Sequence, residues 1–198
     1  MKVALKSLVL DGATRLDFLR RILLCHLITS EGNDMSISEK IAAGELDDLK
    51  FHGKLEGGHL VPGGLLGDQA AMDDIEVGMY VLEKDGTLIA CNKTAIGAWG
   101  RSPELGTSEK YCGAFRLRYP SGEVMPHEAA PPSVVINNGG TVRDADVICE
   151  QPDGFRLLAL VNVFPIRDES DEVIGAVNIF RHNTTKTVPG LQVAADAG

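Results

Sequence analysis

The stretch Gly78-Met79-Tyr80-Val81-Leu82-Glu83-Lys84-Asp85-Gly86-Thr87-Leu88-Ile89-Ala90-Cys91-Asn92 decides the fold. Two apolar runs flank an Asp-Gly pair. Asp-Gly in that setting is the strongest short hairpin signal, because a type I′ turn needs positive φ at both central residues. The pattern predicts strands over Met79 to Glu83 and Thr87 to Asn92, then a short helix from Lys93 to Trp99. Three more strand-like runs lie further on: Thr141 to Cys149, Phe155 to Ile166 and Val173 to Arg181. Their links are Pro152-Asp153-Gly154 and the polar Asp168 to Glu172. Strands joined so tightly must be antiparallel neighbours.

Between hairpin and meander the signals are weaker. Ser102-Pro103 predicts another helical turn, with serine as cap and proline first. Tyr111 to Pro120 has no clear period, and Ser121-Gly122 is a turn. Glu128 to Asn137 reads as a helix, with Pro131 or Pro132 in its first turn and Gly139 past its end.

Upstream, residues 1–52 read as a helical extension. Leu16, Leu19, Leu23 and Leu27 make an apolar stripe over residues 14–29. That stripe either packs on its own domain or forms a dimer helix. Ser36-Ile37-Ser38-Glu39 fits a capping box and predicts a helix from Ile37 to Lys50. Residues 53–73, rich in glycine, read as a linker with a helical lead-in from Gln69 to Glu76. They lack the G-x-G-x-x-G order of a dinucleotide site. Residues 186–198 read as a flexible tail.

Composition sets the partners. The 198 residues are 44% hydrophobic and carry a net charge of −9. An acidic chain is a poor general ligand for nucleic acid or anionic lipid, whose recognition needs a basic face. The run Ile22 to Ile28 is too short to span a bilayer. The basic start at Lys2 is followed by Asp11, Arg15 and Asp17, which break a signal-peptide pattern. Cys25, Cys91, Cys112 and Cys149 include no Cys-x-x-Cys pair, as expected of reduced thiols in a cytoplasmic protein.

From about Asp74 to Thr185 the chain resembles a PAS sensor domain of the bacterial sensor-kinase kind. The resemblance rests on Gly78 to Gly86, Ile89 to Asn92, Ala98-Trp99-Gly100, Tyr111-Cys112-Gly113 and Tyr119 to His127. It continues through Gln151 to Gly154, Pro165 to Asp168 and Val173 to Asn178. It implies an α+β fold, a five-stranded antiparallel sheet in the order 2-1-5-4-3, with helices on one face and a small pocket between. It implies sensing or partner binding rather than catalysis. A small-molecule ligand, a partner kinase or regulator and a homodimer are the expected partners, in a setting such as a two-component phosphorelay. The family's acidic residue and threonine before an output helix are replaced here by Arg181-His182-Asn183-Thr184. The flavin photosensors' asparagine-cysteine-arginine core is also missing. No kinase or other catalytic domain is visible in the sequence.

The candidate ligand contacts are Asn92, Trp99, His127, Asn162 and Asn178. Asn92 precedes a helix, so capping is its ordinary role. Trp99 is the sole tryptophan and suits a core anchor. His127 is a haem-ligand candidate; the favoured expectation is a hydrogen-bonded loop histidine and no cofactor. Asn162 and Asn178 interrupt apolar strands and need partners if buried. Asn162 shares a face with Leu158 and Leu160, and the pattern does not say which face lies under the helices. A rival reading is a thiol-dependent enzyme using Cys112 and His127. A third is a purely structural dimerisation module.

Overall fold

The computed structural model describes residues 35–183. The stripe of Leu16, Leu19, Leu23 and Leu27, and the tail from residue 184, lie outside the described residues.

The hairpin that opens the main sheet is β3 (Gly78–Glu83) and β4 (Leu88–Cys91). The meander is β7 (Val142–Glu150), β8 (Arg156–Arg167) and β9 (Val173–His182). Their order across the sheet is β4-β3-β9-β8-β7, all antiparallel, which is the expected 2-1-5-4-3. Two short strands extend the edge beyond β7: β5 (Arg116–Arg118) and β6 (Val124–Met125).

The turn chemistry differs from expectation at Asp85-Gly86. Only Gly86 has positive φ, at 84°, so the turn is not type I′. Glu83 N–H donates to the Thr87 carbonyl, Gly86 N–H returns to the Glu83 carbonyl, and Asp85 Oδ1 accepts from Thr87 N. This is a three-residue loop closed by one left-handed residue. The same device recurs three times, with Gly122, Gly154 and Asp171 as the left-handed residue. Asp153 and Asp168 hold their loops with the side-chain bond that Asp85 makes.

A type I′ turn does occur, where the sequence reading placed a linker. Residues 53–73 are not a linker. β1 (Phe51–Glu56) and β2 (His59–Pro62) form a hairpin across Gly57 and Gly58, with φ of 59° and 89°. Glycine supplies both positive φ values without a side-chain penalty. β1 then pairs parallel to β8 through Phe51 and His52. A 3-10 turn over Gly64–Gly67 and helix α2 (Gln69–Asp73) follow. The preceding helix, α1, covers Ile37–Ala43 and not the expected Ile37 to Lys50. Gly44 stops it in the left-handed region, where its N–H caps the Ile41 carbonyl.

These upstream elements answer the question of faces. Ile41, Phe51, Leu60, Leu66 and Met72 share one core with Val81, Phe164, Ile166 and Val177. That core lies on one face of the sheet, here called outer. The inner face, with Tyr80, Val147, Cys149, Ala159, Val161 and Phe180, packs under α3 (Lys93–Trp99) and α4 (Pro131–Asn138). The five-strand description is therefore incomplete: the folded core begins near Ile41, not at residue 74. α4 begins at Pro131 after a 3-10 turn over His127–Ala129 and is closed by left-handed Gly139, close to the expected helix. The expected helical turn at Ser102-Pro103 is absent; that loop is instead tied by Arg101, which pairs with Glu109 and donates to the Gly113 carbonyl at 2.9 Å.

Candidate functional site

The inner face holds a small cavity of about 20 Å³. Strand alternation puts Tyr80, Cys149, Val161 and Asn178 on this side of the sheet. α3 brings Trp99 over them, and the start of α4 supplies Ala130 and Pro131. The aromatic side chains brace one another. Trp99 meets Tyr80 edge-on at 5.3 Å and stacks on Phe180 at 6.3 Å. Gly113 lets the chain pass against the indole, because a Cβ there would lie 2.5 Å from the ring.

The polar groups on this wall are all neutral. Asn178 is 2% exposed, and its amide nitrogen donates to the Tyr80 hydroxyl at 2.7 Å. That hydroxyl donates in turn to the Tyr111 carbonyl at 3.1 Å. Burial raises the phenol of Tyr80 well above its ordinary range. Burial likewise pushes the Cys112 thiol up to about 11, and raises that of Cys149. Two buried polar atoms on the wall have no partner among the described residues: Asn178 Oδ1 and Trp99 Nε1. One is an acceptor and the other a donor. Buried polar atoms are nearly always satisfied, and an orphan costs free energy. A cavity of this size has room for a ligand of no more than a few heavy atoms, and a polar group there needs partners like these.

Of the five sequence candidates, the cavity gathers two, Trp99 and Asn178. Asn92 is a structural hub instead. Its Oδ1 accepts from Met79 N at 2.9 Å and from Ala95 N at 3.0 Å. Its Nδ2 donates to the carbonyls of Met72, Ile75 and Val77. The amide is fully used, so it has nothing left for a ligand. Asn162 is on the outer face with Leu160 and Phe164, yet it is buried, because α1 and its neighbours cover that face. His127 opens the 3-10 turn and is not on the cavity wall. Partial burial lowers its pKa, against the opposing pull of Glu128 and Glu109.

The cavity wall cannot take a haem macrocycle, and it does not include the histidine that would ligate one. The Cys112–His127 pairing fails too. Cys112 Sγ accepts from Ala114 N, and no hydrogen bond joins it to His127. A thiol held up at about 11 is not a ready nucleophile. Sequence reasoning missed Tyr80, Cys112 and Cys149 as cavity lining. The helices above them were expected, but not which face of the sheet those helices cover, and Cys112 is on a loop with no strand period to read.

No family model matches the chain, and no curated protein matches it. Solved structures match parts of the chain at low identity. The light-state dimer of the fungal blue-light photoreceptor Vivid is 14% identical, covering 78% of this chain and 99% of that one, with a TM-score of 0.44. The PAS domain of the fruit-fly ELK potassium channel is 15% identical over 58% of this chain and 93% of its own, TM-score 0.47. A PAS domain from Colwellia psychrerythraea is 18% identical over 59% and 94%, TM-score 0.41.

Proposed function

We propose that this chain, whose sheet has the strand order of a PAS domain, is a sensory module that binds a small neutral ligand in its inner cavity. The observation that carries the reading is the pair of orphaned buried atoms, Asn178 Oδ1 and Trp99 Nε1, on one wall. A ligand that both donates and accepts a hydrogen bond satisfies them together. No charged side chain lines the cavity, so a neutral molecule is favoured. Occupancy is read out at the strands, since Tyr80 and Asn178 are both part of the central β3–β9 pair.

The output passes to a partner kinase or regulator, with the chain acting as a homodimer in the cytoplasm. Support for the compartment is that Cys91, Cys112 and Cys149 are buried and form no disulfide among the described residues. Support for the dimer is the leucine stripe at residues 14–29. Light scattering on the full chain tests the dimer: Leu19→Asp with Leu23→Asp should give a monomer, and an unchanged mass contradicts it. No helix among the described residues is long and apolar enough to cross a membrane.

Titration with formamide, which carries a donor and an acceptor, tests the binding claim. Trp99 emission should change and saturate. An emission unaffected at every concentration contradicts it.

A further inference from the structure

We propose that the outer face of the sheet carries a second site, which takes a small zwitterion of the free amino-acid type. Its carboxylate binds the Arg143 guanidinium and the Asn162 amide, and its ammonium group binds Asp144 and Asp47. The site is a concavity of about 280 Å³ beside α1 and strands β8 and β9. It opens on the opposite face of the sheet from the inner cavity, with Phe180 bordering both.

Arg143 is the anchor. Its guanidinium lies over the Phe164 ring at 4.3 Å. One terminal nitrogen donates to the Asp47 carbonyl at 3.1 Å, which fixes the plane of the group. The other, Nη1, is buried and has no partner among the described residues. A fixed guanidinium fork with a spare donor matches a carboxylate. Leaving a buried charged donor unpaired is costly, so a ligand that pairs it gains that difference.

Asn162 is the second donor. It is 5% exposed and sits on an otherwise apolar stretch of β8, between Leu160 and Phe164 on its face. Its Oδ1 accepts from Asp144 N at 3.1 Å, and it makes no other hydrogen bond among the described residues. A buried amide used at one end only has its nitrogen left over for a ligand.

Asp144 supplies the opposite charge. It sits at a bulge where the β7–β8 register shifts, in the left-handed region at φ 48°. A non-glycine residue held there is strained, and such strain concentrates at functional positions. The bulge leaves the Asp144 side chain exposed on the rim. The formal charges on the lining balance, Arg143 and Arg181 against Asp47 and Asp144. A simple anion or cation meets repulsion there as well as attraction. A zwitterion meets both signs in complement.

The test is a side-chain NMR titration of the full chain with L-alanine, acetate and methylammonium as probes. L-alanine should shift the Arg143 Nε–H and Asn162 amide signals saturably, with a Kd at least about tenfold below that of either half-molecule. The Trp99 indole signal should stay still, which separates this site from the inner cavity. Asp144→Asn, at an exposed position, should weaken L-alanine about tenfold and leave acetate unchanged. Arg143→Met should abolish both, and if it fails to fold, Asp144→Asn decides the matter. The proposal is overturned by no saturable shift up to about 10 mM L-alanine. Equal affinity for acetate and L-alanine, or an Asp144→Asn chain that binds as tightly as the parent, overturns it as well.

Discussion

Asn178 and Tyr80 are direct partners across the β3–β9 pair, and the asparagine amide donates to the tyrosine hydroxyl at 2.7 Å. The bond spends the amide's donor and leaves its carbonyl oxygen unpaired. Asn178→Leu removes the orphan oxygen along with the bond, while the tyrosine keeps its own acceptor in the Tyr111 carbonyl. Thermal or denaturant unfolding should therefore show a change within about 1 kcal/mol, in either direction.

Asn92 predicts the opposite outcome. Asn92→Ala strips the partner from two buried N–H groups and weakens three carbonyls at once. The loss should be at least about 3 kcal/mol by denaturant unfolding, since each stranded buried group costs about 1–3 kcal/mol. A loss near that of an ordinary helix cap, about 1 kcal/mol, would contradict the hub assignment.

The contrast between the two asparagines marks what was legible in the sequence. The strand order followed from tight turns and apolar runs, which are local signals. Asn92 as a cap was legible too, because the helix begins at the next residue. Asn178 was legible as a polar break in an apolar strand, but its placement beside Trp99 was not, since that depends on a helix distant in sequence. The same holds for Asn162: alternation assigned its companions, but its burial comes from α1 and the residues just after it, read as an extension apart from the domain. In the segment read as a linker the signal existed. Gly57-Gly58 between Leu55 and Leu60 is a hairpin signature, and glycine abundance hid it.

Turn geometry gives a third prediction. Gly154 has φ of 89°, and a Cβ added there meets nothing within 4 Å. Gly154→Ala is thus a purely conformational change. It should cost about 1–2 kcal/mol in denaturant unfolding, with an unchanged near-UV spectrum. No loss would mean that the loop relaxes to another turn.

Glu150 gives a pH dependence. It is 4% exposed and bonded at 2.6 Å by each of Arg116, Arg118 and Arg156. The Arg118 hydrogen bond, aided by Arg156 and opposed by burial, lowers its carboxyl from 4.5 to about 2. A depressed carboxyl contributes stability that is present above its unfolded value and is lost as pH falls through the folded one. Stability should fall between pH 4.5 and about 2, and Glu150→Gln should flatten that fall. Asp85, held at about 2 chiefly by Lys110, titrates in the same window, so the flattening is partial. Identical acid profiles for parent and variant would contradict the assignment.

The most direct test of the central claim reads the Trp99 indole N–H by NMR, since this is the sole tryptophan, it lines the cavity, and its buried donor has no partner among the described residues. Parent and Asn178→Leu chains are titrated with formamide and with methanol. The account predicts a saturable shift of the indole signal in the parent and its loss in the folded Asn178→Leu chain. An indole signal that neither probe moves in the parent, or that moves alike in both chains, contradicts the claim that this cavity is a binding site.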